Sequence, residues 1–127
     1  MDMTTTHLTV TSHKECMRIT QTLARFGDRW TLPVVAALGD GTMRFNQIRR
    51  EVSGISQQML TRTLRTLERD GMVSRTVHPT TPPQVDYALT PLGQSLAREA
   101  IRLGKWAQLH QDEIDAHRAQ FDRQQEG

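Results

Sequence analysis

"SQQMLTRTLRTLERDG", residues 56–71, decides how the rest of the chain is read. Leu60, Leu64 and Leu67 recur at i, i+4 and i+7, the spacing that puts side chains on one face of an α-helix. Ser56 stands where an N-cap belongs, and Met59 and Thr63 flank the apolar stripe. Gln57, Gln58, Thr61, Arg62 and Arg65 are left on the outer face. Glutamine can bridge N6 and N7 of adenine, arginine can fork onto O6 and N7 of guanine, and threonine can meet a thymine methyl, all from the major groove. An ordinary solvated helix face is the alternative.

The flanking sequence bears on that choice. Upstream, "TMRFNQIRREVSG" (42–54) gives a short strand at Thr42–Arg44 and a short helix carried by Phe45, Ile48 and Val52, ending at Ser53 and Gly54. Two helices joined by "SGIS" form the helix-turn-helix pattern, with the second helix as the reader. Downstream, Val73, Arg75 and Val77 alternate with polar residues, "TTPPQ" turns the chain, and Val85, Tyr87 and Leu89 alternate again. A β-hairpin directly after a reading helix is a wing, suited to the phosphate backbone or the adjacent minor groove. Its polar tip spans His78 to Gln84. The expected fold is mainly α with a small β-hairpin wing (α+β), a winged helix-turn-helix.

Two helices precede this unit and one follows it. Ser12 and Glu15 stand in capping-box spacing ahead of Ile19, Leu23 and Phe26, and Gly27 ends that helix. Asp28 is the expected N-cap of a nearly all-core helix containing Trp30, Val34 and Leu38, stopped at Gly39 to Gly41. Thr90 and Pro91 open a long last helix, about 91–118, on which Leu92, Leu96, Ala100, Leu103, Ala107, His110, Ile114 and Phe121 follow three-and-four spacing. So small a domain cannot bury so long a stripe, which makes this a dimerisation helix, with a helix folded back on its own domain as the alternative. Ile19, Leu96, Leu103, Trp106, Ala107 and Ile114 are the expected dimer-interface residues, with Leu109 able to widen the contact. Residues 1–11 read as a flexible N-terminal arm, 12–118 as the domain and 119–127 as a polar tail.

Composition sets the bounds. The chain has 127 residues, 36% of them hydrophobic, enough for one domain with a modest core. No apolar run approaches the roughly 18 residues of a membrane span, and "MDMTTTHLTVTS" lacks the apolar centre of a secretory signal, so no membrane contact and a cytoplasmic location are expected. The net charge is only +2, but residues 42–78 hold seven arginines against three acidic groups, a local +4. That basic block is the footprint of a nucleic-acid reader. Arg44, Asn46, Arg49, Ser56, Arg75, His78 and Gln84 are the candidate backbone and wing contacts.

Together, Cys16, "GDRWTL" (27–32), "RFNQIRREVSGIS" (44–56), "MLTRTLRTLERDGMVSR" (59–75), "PPQVDYALTPLG" (82–93) and Trp106 resemble the HxlR family of bacterial winged-helix regulators, relatives in fold of the MarR group. The resemblance runs from about Cys16 to His110. It implies a homodimer on a pseudo-palindromic operator, usually a repressor and sometimes an activator, with no cofactor. It also implies a sensing role for Cys16, since several members use a cysteine at this place to detect electrophiles or oxidants. Here Met17 stands where a proline is common, and Asp28 and Arg29 replace the usual Gly and Lys. The first turn of a helix, with Lys14 and Arg18 nearby, suits a reactive thiol, although Glu15 opposes them. With one cysteine in the chain, oxidation could end only in a bridge between two copies, a mixed disulfide or an alkyl adduct. An inert thiol is the alternative.

Other chemistry finds little support. No two of the five histidines (7, 13, 78, 110, 117) stand at i, i+4, and there is no Gly-rich phosphate loop or Ser nucleophile motif, so no metal, cofactor or enzymatic activity is expected. The rival function is a winged helix that binds protein rather than operator DNA. A small effector between the long helix and the first helix would be lined by Phe26, Trp30 or Trp106, residues equally suited to core packing.

Overall fold

A computed structural model describes residues 12–126; the expected arm at 1–11 lies outside the described residues. The order is α1 (His13–Phe26), α2 (Thr31–Leu38), β1 (Met43–Arg44), α3 (Phe45–Glu51), α4 (Gln57–Arg69), β2 (Val73–His78), β3 (Gln84–Leu89) and α5 (Pro91–Glu126). The three strands form an antiparallel sheet in the order β1-β3-β2, with Arg44 opposite Asp86 and Arg75 opposite Tyr87. This is a winged helix-turn-helix, with β2 and β3 as the wing.

The core is a single cluster. Val34, Val35 and Leu38 of α2 meet Ile48 and Val52 from the α3 region, Leu60, Leu64 and Leu67 of α4, Val73 of β2 and Ala97 of α5. The α4 leucines are each at most 2% exposed, and Thr63 joins them in the interior. Gly54, at φ +91°, makes the turn between α3 and α4, a backbone conformation that costs other residues.

Local chemistry sets the ends of the helices. Ser56 Oγ accepts from the Met59 N–H at 3.0 Å, and Ser12 Oγ accepts from the Glu15 N–H at 3.0 Å. Asp28 caps as expected but from farther out, because α2 begins at Thr31. Its Oδ1 accepts from the N–H groups of Trp30 and Thr31, each at 2.8 Å, and its Oδ2 accepts from the Thr31 hydroxyl at 2.8 Å. Burial of Asp28 works against its charge, but the hydrogen bonds from the Thr31 side chain and from the Thr31 and Trp30 backbones outweigh it and hold the carboxyl below its ordinary range.

The junction of α4, the wing and α5 is clasped. Thr90 Oγ1 donates to the Gly71 carbonyl at 2.6 Å and accepts from the Gly93 N–H at 3.0 Å, while the Thr90 N–H donates to the Met72 carbonyl at 3.0 Å. Gly93 is buried there, and a Cβ on it would collide with the Met72 carbonyl. Arg25 near the end of α1 reaches Asp70, the C-cap of α4, at 3.5 Å.

The last helix departs from expectation. It continues through Glu126 instead of ending near 118, so the segment read as a polar tail is helical. Residues 119–126 contain no Gly or Pro to stop a helix, and polarity alone does not end one. At a rise of about 1.5 Å per residue, α5 is roughly 54 Å long.

Candidate nucleic-acid interface

On α4, burial of the leucine stripe dictates what remains outside. At 100° per residue, Gln57, Thr61, Arg65, Gln58 and Arg62 span an arc of about 140° that begins beside Leu64 and runs away from the leucine stripe. All five are exposed. Thr61 Oγ1 donates to the Gln57 carbonyl at 2.9 Å, which orients its methyl within that face. Glu68 and Arg69 continue the surface toward the end of the helix.

The sheet brings part of the wing to this helix. Arg65 and Arg75 line one polar concavity of about 330 Å³ with Thr61, Glu68 and Tyr87. A second cleft, of about 650 Å³, separates α3 from the wing and joins Arg44, Asn46 and Gln84 with Gln47 and Arg50. Arg50 was not among the candidates read from the sequence; its signal was the i, i+4 relation to Asn46, which puts both on the outer side of α3. Arg49 is exposed and lies outside this cleft.

Four of the candidate backbone and wing contacts are engaged within the chain. Arg44 donates through Nη2 to Gln84 Oε1 at 2.7 Å and stands 3.7 Å from Asp86 Oδ1. His78 Nε2 lies 2.7 Å from the other oxygen of Asp86. Asp86 therefore ties β1 to both strands of the wing, a role that the sequence reading missed. Arg44, His78 and Gln84 fix the wing through these contacts, and Arg44 keeps about half of its side chain in solvent. Ser56 is likewise occupied as the cap of α4.

The candidate dimer residues lie on α1 and α5. Ile19, Leu103 and Trp106 are exposed, and Leu96, Ala107 and Ile114 are half-buried. No residue of α1 is buried, although the helix is strongly amphipathic by sequence. Cys16, in the first turns of α1, is exposed. Of the three aromatic residues proposed for an effector site, Phe26 lines an apolar groove between α1, α2 and α5, but Trp30 and Trp106 do not. Trp30 instead carries the Arg29 guanidinium 4.6 Å from its ring centroid, and Trp106 stacks at a tilt against His110, centroids 4.8 Å apart. Among the described residues, no group of three His, Cys, Asp or Glu side chains is placed to hold a metal, and no helix is long and apolar enough to cross a membrane.

A reading helix with a polar outer face, a wing that sets Arg75 beside it and a hydrogen-bonded junction to a long helix define a DNA-binding transcriptional regulator of the winged-helix class. The chain belongs to the HxlR-like helix-turn-helix family, whose profile matches residues 25–115. It is 38% identical over 98 residues to the HTH-type transcriptional regulator YtfH of Escherichia coli K12, covering 77% of this chain and 78% of that protein. Among solved structures it is similar to YtfH of Salmonella typhimurium, with 37% identity and a TM-score of 0.72 over 79% of this chain and 89% of that one. The redox regulator HypR in its reduced form gives 35% identity and a TM-score of 0.73 over 78% and 98% of the two chains. Reduced YodB from Bacillus subtilis gives 33% and 0.64 over 77% and 92%.

Proposed function

We propose that this regulator is a cytoplasmic homodimer that represses transcription by reading a pseudo-palindromic operator, with Cys16 as a sensor of electrophiles or oxidants. The observation that carries the reading is the outer face of α4, where Gln57, Gln58, Thr61, Arg62 and Arg65 are all exposed while the opposite face is core. Those five read bases. Arg75 and Arg49 anchor phosphates, joined by Asn46 and Arg50, while Arg44, His78 and Gln84 hold the wing in position. A protein-binding role would call for apolar groups on this face, and it offers none.

Two-fold symmetry follows from the apolar residues left open on α1 and α5, which a second copy would cover. The redox role rests on the exposure of Cys16 and on the likeness to HypR and YodB, solved in reduced and in oxidised or diamide-treated forms. Selection from a random duplex pool tests the function. An inverted repeat with half-site centres about one helical turn apart, or a multiple of it, is expected. Recovery of no motif, or of a single half-site, would overturn the reading. Diamide should then change operator affinity of the native protein and leave Cys16→Ser unaffected; equal responses would remove Cys16 from the mechanism.

A further inference from the structure

The first turns of α5 are fixed to their own domain by Gly93 and Ala97, both buried. The neighbouring line of Leu96, Ala100 and Leu103 opens instead into the groove between α1, α2 and α5, about 220 Å³, whose other apolar walls are Leu23, Phe26 and Leu32. Leu23 is 62% exposed and Leu103 57%. The same line continues along α5 through Ala107, His110, Ile114, His117 and Phe121. From Asp115 to Glu126 every residue of the helix is exposed, Phe121 among them at 60%. One copy thus carries both an open apolar groove and a polar helix end that exposes one large apolar side chain, Phe121.

We infer that the groove seats the distal end of α5 from a second copy, the two helices running antiparallel about a two-fold axis near residues 108 and 109. The inference rests on the homodimer reading and specifies its geometry. A single register brings the whole line into opposition. Leu103 faces Ile114 of the second copy, Leu96 faces its Phe121, Ala100 its His117 and Ala107 its His110. Each larger side chain meets an apolar or small one, and Phe121 arrives at the groove.

Charge favours the same direction. Residues 98–105 hold Arg98, Arg102 and Lys105 against Glu99, a net +2, whereas 112–119, which they oppose in this register, hold Asp112, Glu113 and Asp115 against Arg118, a net −2. Antiparallel helices set these segments against each other, and parallel helices would set like on like. The family profile ends at residue 115, so the part of α5 that carries Phe121 lies beyond the segment matched to the family.

Disulfide trapping of the full chain in a Cys16→Ser background tests the register. Under mild oxidation, Leu103→Cys/Ile114→Cys should give a dimer on a non-reducing gel, and Ile114→Cys alone should not. Sedimentation without oxidant reports assembly independently. Phe121→Ala, an exposed change that leaves the domain core untouched, should weaken the dimer by about 100-fold, since two copies lose the contact. A dimer by sedimentation that fails to trap through the 103/114 pair, that traps through Ile114→Cys alone, or that ignores Phe121→Ala would overturn this geometry and leave the homodimer standing. A monomeric native protein at micromolar concentration would overturn both.

Discussion

Alanine in place of a helical glycine ordinarily stabilises a protein by up to about 1 kcal/mol, because glycine loses more backbone freedom on folding. Gly93 should do the reverse. The added methyl would overlap the Met72 carbonyl oxygen and stand 3.1 Å from Leu89 Cδ2. The obstacle is largely backbone, held by the Thr90 hydrogen bonds to Gly71 and Met72, so α5 must shift away from the end of α4. Overpacking of this kind costs about 1–3 kcal/mol and more when backbone must move. For Gly93→Ala we expect a net loss of about 2–4 kcal/mol, or roughly 10 °C in Tm for a domain of this size. Gly104→Ala, on the same helix with nothing among the described residues beyond the adjacent helix backbone within 4 Å of the new Cβ, is the control and should be neutral or stabilising. Thermal and urea unfolding of the two variants measures the difference. Equal stability of Gly93→Ala and Gly104→Ala would refute the claim that α5 is packed onto the α4–β2 junction.

Asp28→Ala should cost about 1 kcal/mol at neutral pH through loss of the cap. Because the folded-state carboxyl is held below its ordinary range, that contribution is present above the ordinary Asp range and lost as pH falls through the depressed value, so the gap to the native protein should close in strong acid. Urea melts across pH check this, and a gap that widens in acid would contradict it. Arg65→Ala should weaken specific DNA binding by about 1–3 kcal/mol and non-specific binding less; equal losses on random duplex would reassign Arg65 to phosphate. Arg75→Ala should flatten the salt dependence of binding without altering sequence preference, and an unchanged slope would take it out of the interface.

Much of this was legible because local and long-range demands agree. The α4 leucines announce both the helix and its buried face, so the outward set of Gln57, Gln58, Thr61, Arg62 and Arg65 follows from the same count. The wing was legible from period-two alternation around "TTPPQ". What one sequence cannot supply is register. Arg44, His78 and Gln84 looked free for DNA because nothing local shows that Asp86 would stand opposite Arg44 in one strand pair and beside His78 in the other. Helix ends were the other weak point. Asp28 caps α2 across a turn that defers its start to Thr31, and the polar residues after 118 read as tail though they remain helical. Arg50 was hidden beside Arg49, and only the helical position relative to Asn46 tells the two apart.

The most direct measurement of the central claim is fluorescence-anisotropy titration of the reduced protein on the duplex upstream of its own gene and on a scrambled duplex, at about 0.15 M salt. Preference for the native sequence by about 10³ or more, lost when the outer face of α4 is replaced by alanine, is the predicted result. Equal affinity for both duplexes, or a preference that survives the alanine replacements, would contradict the assignment of that face to base reading.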